Sequence, residues 1–394
     1  MEKKTAGIVQ VEQRKRVALV YKGIGEHSSE LLGGITQYAM EHRRFSIYNI
    51  FTTEVHSDFP FRSYRLDGII SMSVSSAIVE QIKSLGVPVV DLSGEYEDDP
   101  AFISVDHDPV KIGRMAAERF LQRGFTSFAY YGLDGIRFCK LMGDAFAATV
   151  ERAGYKCSML MHSMHTSPET KKLLEDWTAS LPPRTAAFCI SDSKAESMML
   201  HAMRLGRPVP GDLAILGLNN DVPRCACLPV TLSSIDPNWR GLGYAAMRIL
   251  ANAIKNPVAP KRRRVFRVPP GSIVERESTA IYPVDPPWLA DALSLLDTGI
   301  DRPLTTADLA EAAKVSQPTL QAAFHKTFGT SAGRYILSVK MREAKRLVDE
   351  GYLTVKEIAA RIGFTSRSYF SRTYSEYYGR PPSGCSRSTS RRTP

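Results

Sequence analysis

The stretch LTTADLAEAAKVSQPTLQAAFHKTFG at 304–329 is followed by a second copy of the same pattern, LTVKEIAARIGFTSRSYFSRTYSEYYG at 353–379. Each copy predicts a short helix, a tight break, and a second helix that begins after Ser or Thr and ends at Gly. Helix, short turn and helix is the helix-turn-helix arrangement. Because an ordinary helical bundle has no reason to repeat a turn and a cap at the same offsets, the repeat favours a nucleic-acid reader.

The break between the two helices differs between the copies. Gly363 stands where the second copy needs a left-handed backbone, a conformation that glycine adopts freely. The first copy has Lys314 at this position, which we expect to cost about 1 kcal/mol relative to glycine. Apolar residues recur at helical spacing over 333–350, so this segment predicts a helix that joins the two copies.

The repeated segment resembles the DNA-binding domain of the arabinose-regulator (AraC/XylS) family. It shares the family pattern A-x-x-x-G-F-x-S-x-S-Y-F-S-R-x-Y/F at 359–374 and a following Gly-x-x-P at 379–382. The resemblance implies that the second helix of each copy enters a major groove of double-stranded DNA, in successive grooves about 34 Å apart.

Side chains in the first turns of these second helices are the candidates for base contacts. For every one of them, contact with phosphate or simple exposure is the alternative. The candidates are Gln317, Pro318, Thr319, Gln321 and Ala322 in the first copy, and Arg367, Ser368, Tyr369, Ser371 and Arg372 in the second.

Charge is concentrated in the same part of the chain. The whole chain has 394 residues and a net charge of +10. Residues 286–394 hold 16 lysines and arginines against 10 aspartates and glutamates, a net of +6. Excess positive charge suits a surface that contacts phosphates, although a solvated basic face is also common.

The remaining composition is ordinary for a globular protein of two or three domains. The N-terminus is charged and lacks the apolar stretch of a signal peptide, and no apolar run is long enough to span a membrane, so we expect a cytoplasmic protein. The six cysteines form no C-x-x-C pair, and we predict neither a metal site nor a cofactor. We find no glycine-rich phosphate loop or nucleophile elbow, which argues against an enzyme.

Residues 17–282 alternate apolar strands with amphipathic helices, which predicts an α/β fold of two lobes with doubly wound parallel sheets. Three motifs resemble the effector domains of the LacI/GalR repressors, which are built like periplasmic sugar-binding proteins. They are SVDHDPVKIGRMAAERFL at 104–121, GRPVPGDLAILGLNN at 206–220 and TLSSIDPNWRGLGYAA at 231–246. Such a domain followed by an AraC-type domain resembles one group in particular, the xylose operon regulators.

These patterns divide the chain into five parts. They are a flexible tail at 1–16, a LacI-type effector domain at 17–282, a proline-rich linker at 283–287, an all-α DNA-binding domain at 288–385 and a disordered tail at 386–394.

Polar groups at the carboxyl ends of parallel strands point into the cleft between two such lobes. A sugar needs carboxylates and amides for its hydroxyls and an aromatic face for its ring. By that rule the ligand candidates are Glu26, His27, Ser71, Asp106, Arg137, Phe138, Asp192, Asn219 and Asp236. Helix N-capping is the alternative for Asp106 and Asp236, and exposure is the alternative for His27.

The sequence therefore predicts a sugar-responsive transcription regulator, an activator by family resemblance, that binds an operator as a homodimer and acts on RNA polymerase. Three alternatives stay open. The first domain could be a dimerisation module without ligand, the chain could be a sugar-binding protein for transport, or it could be an enzyme on the same fold.

Overall fold

The computed structural model describes residues 14–21, 28–51, 59–72, 76–163, 167–256, 264–350 and 353–382. Most of the two predicted tails lies outside these residues, as do Glu26 and His27. The strands in chain order are β1 Lys15–Tyr21, β2 Phe45–Phe51, β3 Gly68–Met72, β4 Val89–Asp91, β5 Phe102–His107, β6 Ser127–Leu133, β7 Cys157–His162, β8 Thr185–Cys189, β9 Leu213–Leu218, β10 Ser233–Ile235, β11 Arg264–Val268 and β12 Ile273–Val274.

The helices fall into an α/β part and an all-α part, as the sequence predicts. Helices of the α/β part are α1 Ser28–His42, α2 Ser76–Ser84, α3 Pro109–Gln122, α4 Arg137–Arg152, α5 Pro168–Ser180, α6 Asp192–Arg204, α7 Val222–Cys227 and α8 Trp239–Lys255. Those of the all-α part are α9 Leu289–Thr298, α10 Thr306–Ala312, α11 Gln317–Phe328, α12 Ala332–Glu350, α13 Val355–Arg361 and α14 Arg367–Tyr378.

Two six-stranded sheets confirm the predicted pair of doubly wound lobes. The first has the order β11-β5-β4-β3-β1-β2 and the second the order β12-β10-β9-β8-β6-β7. Neighbouring strands are parallel throughout the first sheet, whereas β12 runs antiparallel to β10 in the second. Parallel strands place their carboxyl ends at one edge, so each lobe offers such an edge to the cleft.

The chain passes between the lobes three times: after β5 into α3, after β10 into α8, and from β11 to β12. Helix α8 follows a strand of the second lobe but packs on α1 of the first. A side chain at Gly34 would lie 1.9 Å from the carbonyl oxygen of Arg240, and one at Gly243 would lie 2.1 Å from that of Leu31. The two helix backbones are thus in direct contact, which holds the returning chain on the first lobe.

The C-terminal part contains the two helix-turn-helix units, α10–α11 and α13–α14, joined by α12. Each unit has its own core, with Leu309, Leu320 and Phe324 in the first and their counterparts in the second. Lys314 adopts a left-handed φ of 54° and Gly363 a φ of 68°, so the first turn keeps the shape of the second despite lacking glycine. No helix among the described residues is both long enough and apolar enough to cross a membrane.

Candidate functional site

A cavity of about 340 Å³ lies between the lobes, at the carboxyl ends of β9 and β10. Two of the predicted ligand residues, Asn219 and Asp236, line it. Trp239, at the start of α8, lines it as well and was not predicted. Its indole Nε1 donates to the side-chain oxygen of Asn219 at 3.2 Å, and its ring meets that of His107 edge-on at 4.5 Å. The indole is therefore held from both lobes.

A second group of predicted residues lies together at another point between the lobes. Asp106, Arg137 and Phe138 line a small pocket with Glu97 and Arg267. Arg137, at the start of α4 in the second lobe, forms an ion pair at 2.9 Å with the buried Glu97 of the first. Glu97 also bonds Arg267, whose other terminal nitrogen is 3.6 Å from Asp106. Charged groups thus already link the two lobes, and no periodic pattern singled out Glu97 or Arg267.

Burial raises the pKa of Asp106 to about 7, with a further contribution from the charge of Asp91, although the backbone N–H of His107 partly opposes the shift. N-capping was the alternative role for this carboxylate and for Asp236. The residue that caps α3 is Asp108, and the residue that caps α8 is Asn238. Neither predicted carboxylate is therefore occupied as a helix cap.

Asp192 does not line the cavity but bonds to residues that position its wall. It is fully buried, and its two oxygens accept hydrogen bonds from the Ser234 hydroxyl at 2.6 Å and the Asp221 backbone N–H at 2.7 Å. These bonds hold the loop of Asn219 and Asn220, both of which have positive φ. In this conformation Asp192 positions the loop instead of facing the cavity. Ser71 is also fully buried, at the end of β3.

In the all-α part, the predicted base-contacting side chains lie on the first turns of α11 and α14. Ser316 caps α11 and Ser366 caps α14, as the repeated pattern predicts. Most of the candidates are exposed, and Gln321 and Ser371 are half-buried. Exposed candidates are Gln317, Pro318, Thr319, Ala322, Arg367, Ser368, Tyr369 and Arg372.

Two candidates have contacts that affect how they could bind a base. The side-chain oxygen of Gln321 accepts a hydrogen bond from the backbone N–H of Ala332 at 3.0 Å, at the start of α12. This bond occupies one of the two lone pairs of the oxygen that would also accept a hydrogen bond from adenine. The guanidinium of Arg372 lies 5.7 Å from the ring of Tyr369 and 3.9 Å from Glu376, and its side chain is 71% exposed. The Arg372 side chain is thus directed outward and is accessible to a duplex.

A set of charges, in which Arg123 is buried and the other members are partly exposed, joins the two parts of the protein. Arg119 and Arg123, in and after the last turn of α3, both pair with Glu275, at 2.6 and 2.9 Å. The same two arginines lie 3.4 and 3.3 Å from Asp297 of α9. Burial opposes ionisation of Glu275, but the two arginines hold its pKa below the usual value. Tyr282 completes the set by donating to Asp297.

The predicted linker is part of this junction. Val284 is buried in the core of the first helix-turn-helix unit and also contacts the site of Gly124, just after α3. The segment 283–287 therefore packs between the two parts of the protein, and α3 leads from the hinge beside Asp106 to this contact.

Two family models match the chain. One, for a periplasmic binding protein-like domain, matches residues 117–279. The other, for a helix-turn-helix domain, matches residues 309–388. The first match falls within the α/β part and the second covers most of the all-α part.

Similarity to known proteins extends over both parts. The xylose operon regulatory protein of Escherichia coli (strain K12) is 24% identical over 385 residues, which cover 94% of this chain and 96% of that protein. The protein of the same name from Haemophilus influenzae is 22% identical and is covered to 98%. A solved structure, described as that of the xylose-binding transcription activator xylR, has a TM-score of 0.59 at 22% identity and covers 96% of this chain. The chain thus matches a periplasmic binding protein-like domain followed by a helix-turn-helix domain, and over almost its whole length it is similar to the xylose operon regulatory proteins.

Proposed function

We propose that this protein is a sugar-responsive, DNA-binding transcription regulator. The observation that carries the proposal is the junction of ion pairs and packed residues between the two parts, because it makes a two-lobed cleft and two helix-turn-helix units one continuous structure. Relatives named for xylose operon regulation align with this chain across both of its parts. The relatives are regulators, which favours regulation over catalysis for this chain.

The effector site that we propose is the cavity beside Trp239. Its volume of about 340 Å³ is at the lower end of the range of small-molecule pockets. The amide of Asn219 and the carboxylate of Asp236 offer hydrogen bonds to hydroxyl groups, and the indole face of Trp239 offers a surface to the C–H side of a ring. This combination favours a polyhydroxylated ring of the size of a pentose or hexose.

Binding would act by closing the cleft. Asn219 and Asp236 belong to the second lobe, whereas α1 and the body of α8 belong to the first, so a ligand that contacts both groups favours the closed arrangement. A coupling of a few kcal/mol between closure and DNA binding is enough to switch such a regulator. We further propose that the protein binds its operator as a homodimer, because the contact of one subunit with DNA is small, and that it activates transcription through RNA polymerase.

A ligand screen tests the sensor part. Thermal unfolding of the full chain is measured with pentoses, hexoses and deoxy sugars, including D-xylose. At 100 times its dissociation constant, a ligand adds about 2.7 kcal/mol to the stability of the domain it binds. We expect this for at least one sugar, as a rise of several degrees in melting temperature. No response to any sugar favours the dimerisation module, and chemical turnover of a sugar favours an enzyme.

A duplex selection tests the DNA-binding part independently. The full chain is incubated with a library of random duplexes, and bound sequences are recovered over several rounds. We expect a consensus with two contacted segments about one helical turn apart. Recovery of random sequence only would contradict the proposed DNA recognition, whatever the sugar screen shows.

A further inference from the structure

Lys340 is a buried lysine in the middle of α12, the helix that joins the two helix-turn-helix units. It is only 5% exposed, whereas lysine is almost never buried without partners. Its ammonium donates to the backbone carbonyl oxygen of Arg302 at 2.6 Å and lies 3.5 Å from that of Gly363. Arg302 precedes the first unit and Gly363 is in the turn of the second. One side chain therefore contacts the backbone of the second unit and that of the segment leading into the first.

The backbones of Arg302 and Gly363, which supply the two acceptors, are also in direct contact with each other. A side chain added at Gly363 would lie 2.2 Å from the carbonyl oxygen of Arg302. The ring of Phe364, the next residue, lies 5.8 Å from the Lys340 ammonium. Burial lowers the pKa of Lys340, and the charge of Asp301 partly opposes this shift.

We propose that Lys340 is a positioning residue that fixes the angle between the recognition helices α11 and α14, and so sets the spacing of the two DNA segments that the protein recognises. This inference rests on the proposed function, since it requires that both helices contact one duplex. Rotation of one unit relative to the other would pull Arg302 or Gly363 away from the ammonium. The contact thus resists the motion that would let the protein follow a different spacing.

The geometry of DNA makes this motion measurable. Each additional base pair displaces the second segment by about 3.4 Å and rotates it by about 34°, because one turn of about 34 Å contains 10–10.5 base pairs. If the angle between α11 and α14 is fixed, the two helices cannot adjust to both the displacement and the rotation. If they are joined only by a flexible connection, they can adjust in part.

The test uses the full chain and the duplex recovered from the random library, with its two segments mapped by protection from cleavage. One base pair is then inserted or removed between the segments. We expect the wild-type protein to lose affinity at least 20-fold for either change. Lys340→Met should lose less than 5-fold, while its affinity for a duplex that contains one segment stays within 2-fold of wild type.

Two variants control for the chemistry of this substitution. Lys340→Arg retains the charge and the donors, so it should restore most of the spacing penalty. Lys345→Met makes the same change on the same helix, at a lysine that pairs with Asp349 of that helix. It should keep the full 20-fold penalty even if its overall affinity for DNA falls.

A second pair of variants perturbs the contact from its other side, and it carries the test if Lys340→Met does not fold. Gly363→Ala forces the second turn away from Arg302. Gly379→Ala shares the left-handed backbone, with φ of 70°, but has nothing within 4 Å of the added carbon. We expect the spacing penalty to fall in the first variant and to remain in the second.

The outcomes separate the two proposals. If the wild-type protein selects no duplex, the proposed DNA recognition and this inference both fail. If it selects one and Lys340→Met retains the 20-fold spacing penalty, this inference fails alone.

Discussion

The Tyr335 hydroxyl of α12 donates a hydrogen bond to the backbone carbonyl oxygen of Gln122, the last residue of α3, at 2.5 Å. The two residues belong to different parts of the protein, 213 positions apart. The Tyr335 ring lies in the aromatic core of the first helix-turn-helix unit, against Phe324 and Phe328. Only the hydroxyl group of Tyr335 extends beyond that core to the effector domain, so it can be removed without disturbing the core.

We predict that Tyr335→Phe weakens the junction. The ring stays packed, but a buried carbonyl loses its donor, which costs about 1–3 kcal/mol. Urea unfolding of the full chain should show this loss, and the effect of a bound sugar on DNA affinity should shrink several-fold. Tyr378→Phe is the matched control, because its hydroxyl donates to Met341 within the DNA-binding domain. If both variants reduced the sugar effect equally, the junction would not be the coupling element.

We predict that Arg372→Ala lowers the affinity for the selected duplex more than the affinity for random DNA. An arginine that reads guanine contributes about 1–3 kcal/mol to specificity, whereas a phosphate contact contributes equally to every sequence. Affinities for both duplexes, measured at two salt concentrations, separate the two roles. Arg334→Ala, at an exposed arginine on α12, serves as the control. An equal loss on both duplexes would identify Arg372 as a phosphate contact.

We predict that Trp239→Phe weakens binding of the sugar found in the screen by about 1 kcal/mol, roughly fivefold, because Asn219 loses the indole N–H that orients it. Calorimetry of the full chain gives the dissociation constant. The control is Trp177→Phe, since this indole also donates a hydrogen bond, to Ser158 at 2.9 Å, but on the outer strand of the second lobe. Unchanged affinity in the Trp239 variant would place the sugar elsewhere.

We predict that Asp106 makes the protein less stable as pH rises. Folding raises the pKa of this carboxyl to about 7, so between about pH 4 and 7 the folded chain binds more protons than the unfolded chain. Its contribution therefore becomes unfavourable over that window, by at most about 4 kcal/mol for a shift of about three pKa units. The gain in stability of Asp106→Asn over wild type, from urea unfolding at pH 5, 6, 7 and 8, should grow with pH.

A matched variant makes the pH measurement specific. Asp108→Asn changes the next carboxylate along the chain but retains the cap of α3, because asparagine caps helices as well as aspartate does. Its stability should follow that of the wild type across the same pH range. If the stabilities of Asp106→Asn and wild type changed with pH in the same way, Asp106 would be ionised across the whole pH range.

Local patterns were enough to predict much of the fold. The alternation of strands and helices over 17–282 and the helix at 333–350 appear where periodicity places them. The helix-turn-helix pair was found because both copies have a Ser or Thr cap before each helix and a tight break between the helices. These features depend on residues close together in the chain, which is the information that a sequence pattern contains.

What the patterns missed depends on contacts between distant residues. Helix α8 was not predicted, and β10 is only three residues long, although both are needed to return the chain to the first lobe. Trp239 was overlooked because an aromatic residue at a helix start has no chemical signature until Asn219 and His107 are seen beside it. Arg119 and Asp297 are 178 positions apart, so no spacing rule links them.

The sequence also could not distinguish a side chain that faces a ligand from one that supports it. Asp192 has the residue type and the strand-end position of a sugar contact, yet both of its oxygens bond to protein groups. Gln321 has the type and position of a base contact, yet its oxygen holds the start of α12. In each case the competing partner is a hydroxyl or backbone N–H that a pattern of side chains does not show.

Helix α3 has the proportions of a lever. Its 14 residues make a rod about 21 Å long that begins at the hinge and ends beneath the DNA-binding domain. A turn of 10° about the hinge would carry its far end through about 4 Å, which exceeds the rise of one base pair. A rotation of the second lobe by this angle would thus be large enough to shift a recognition helix from one base pair to the next.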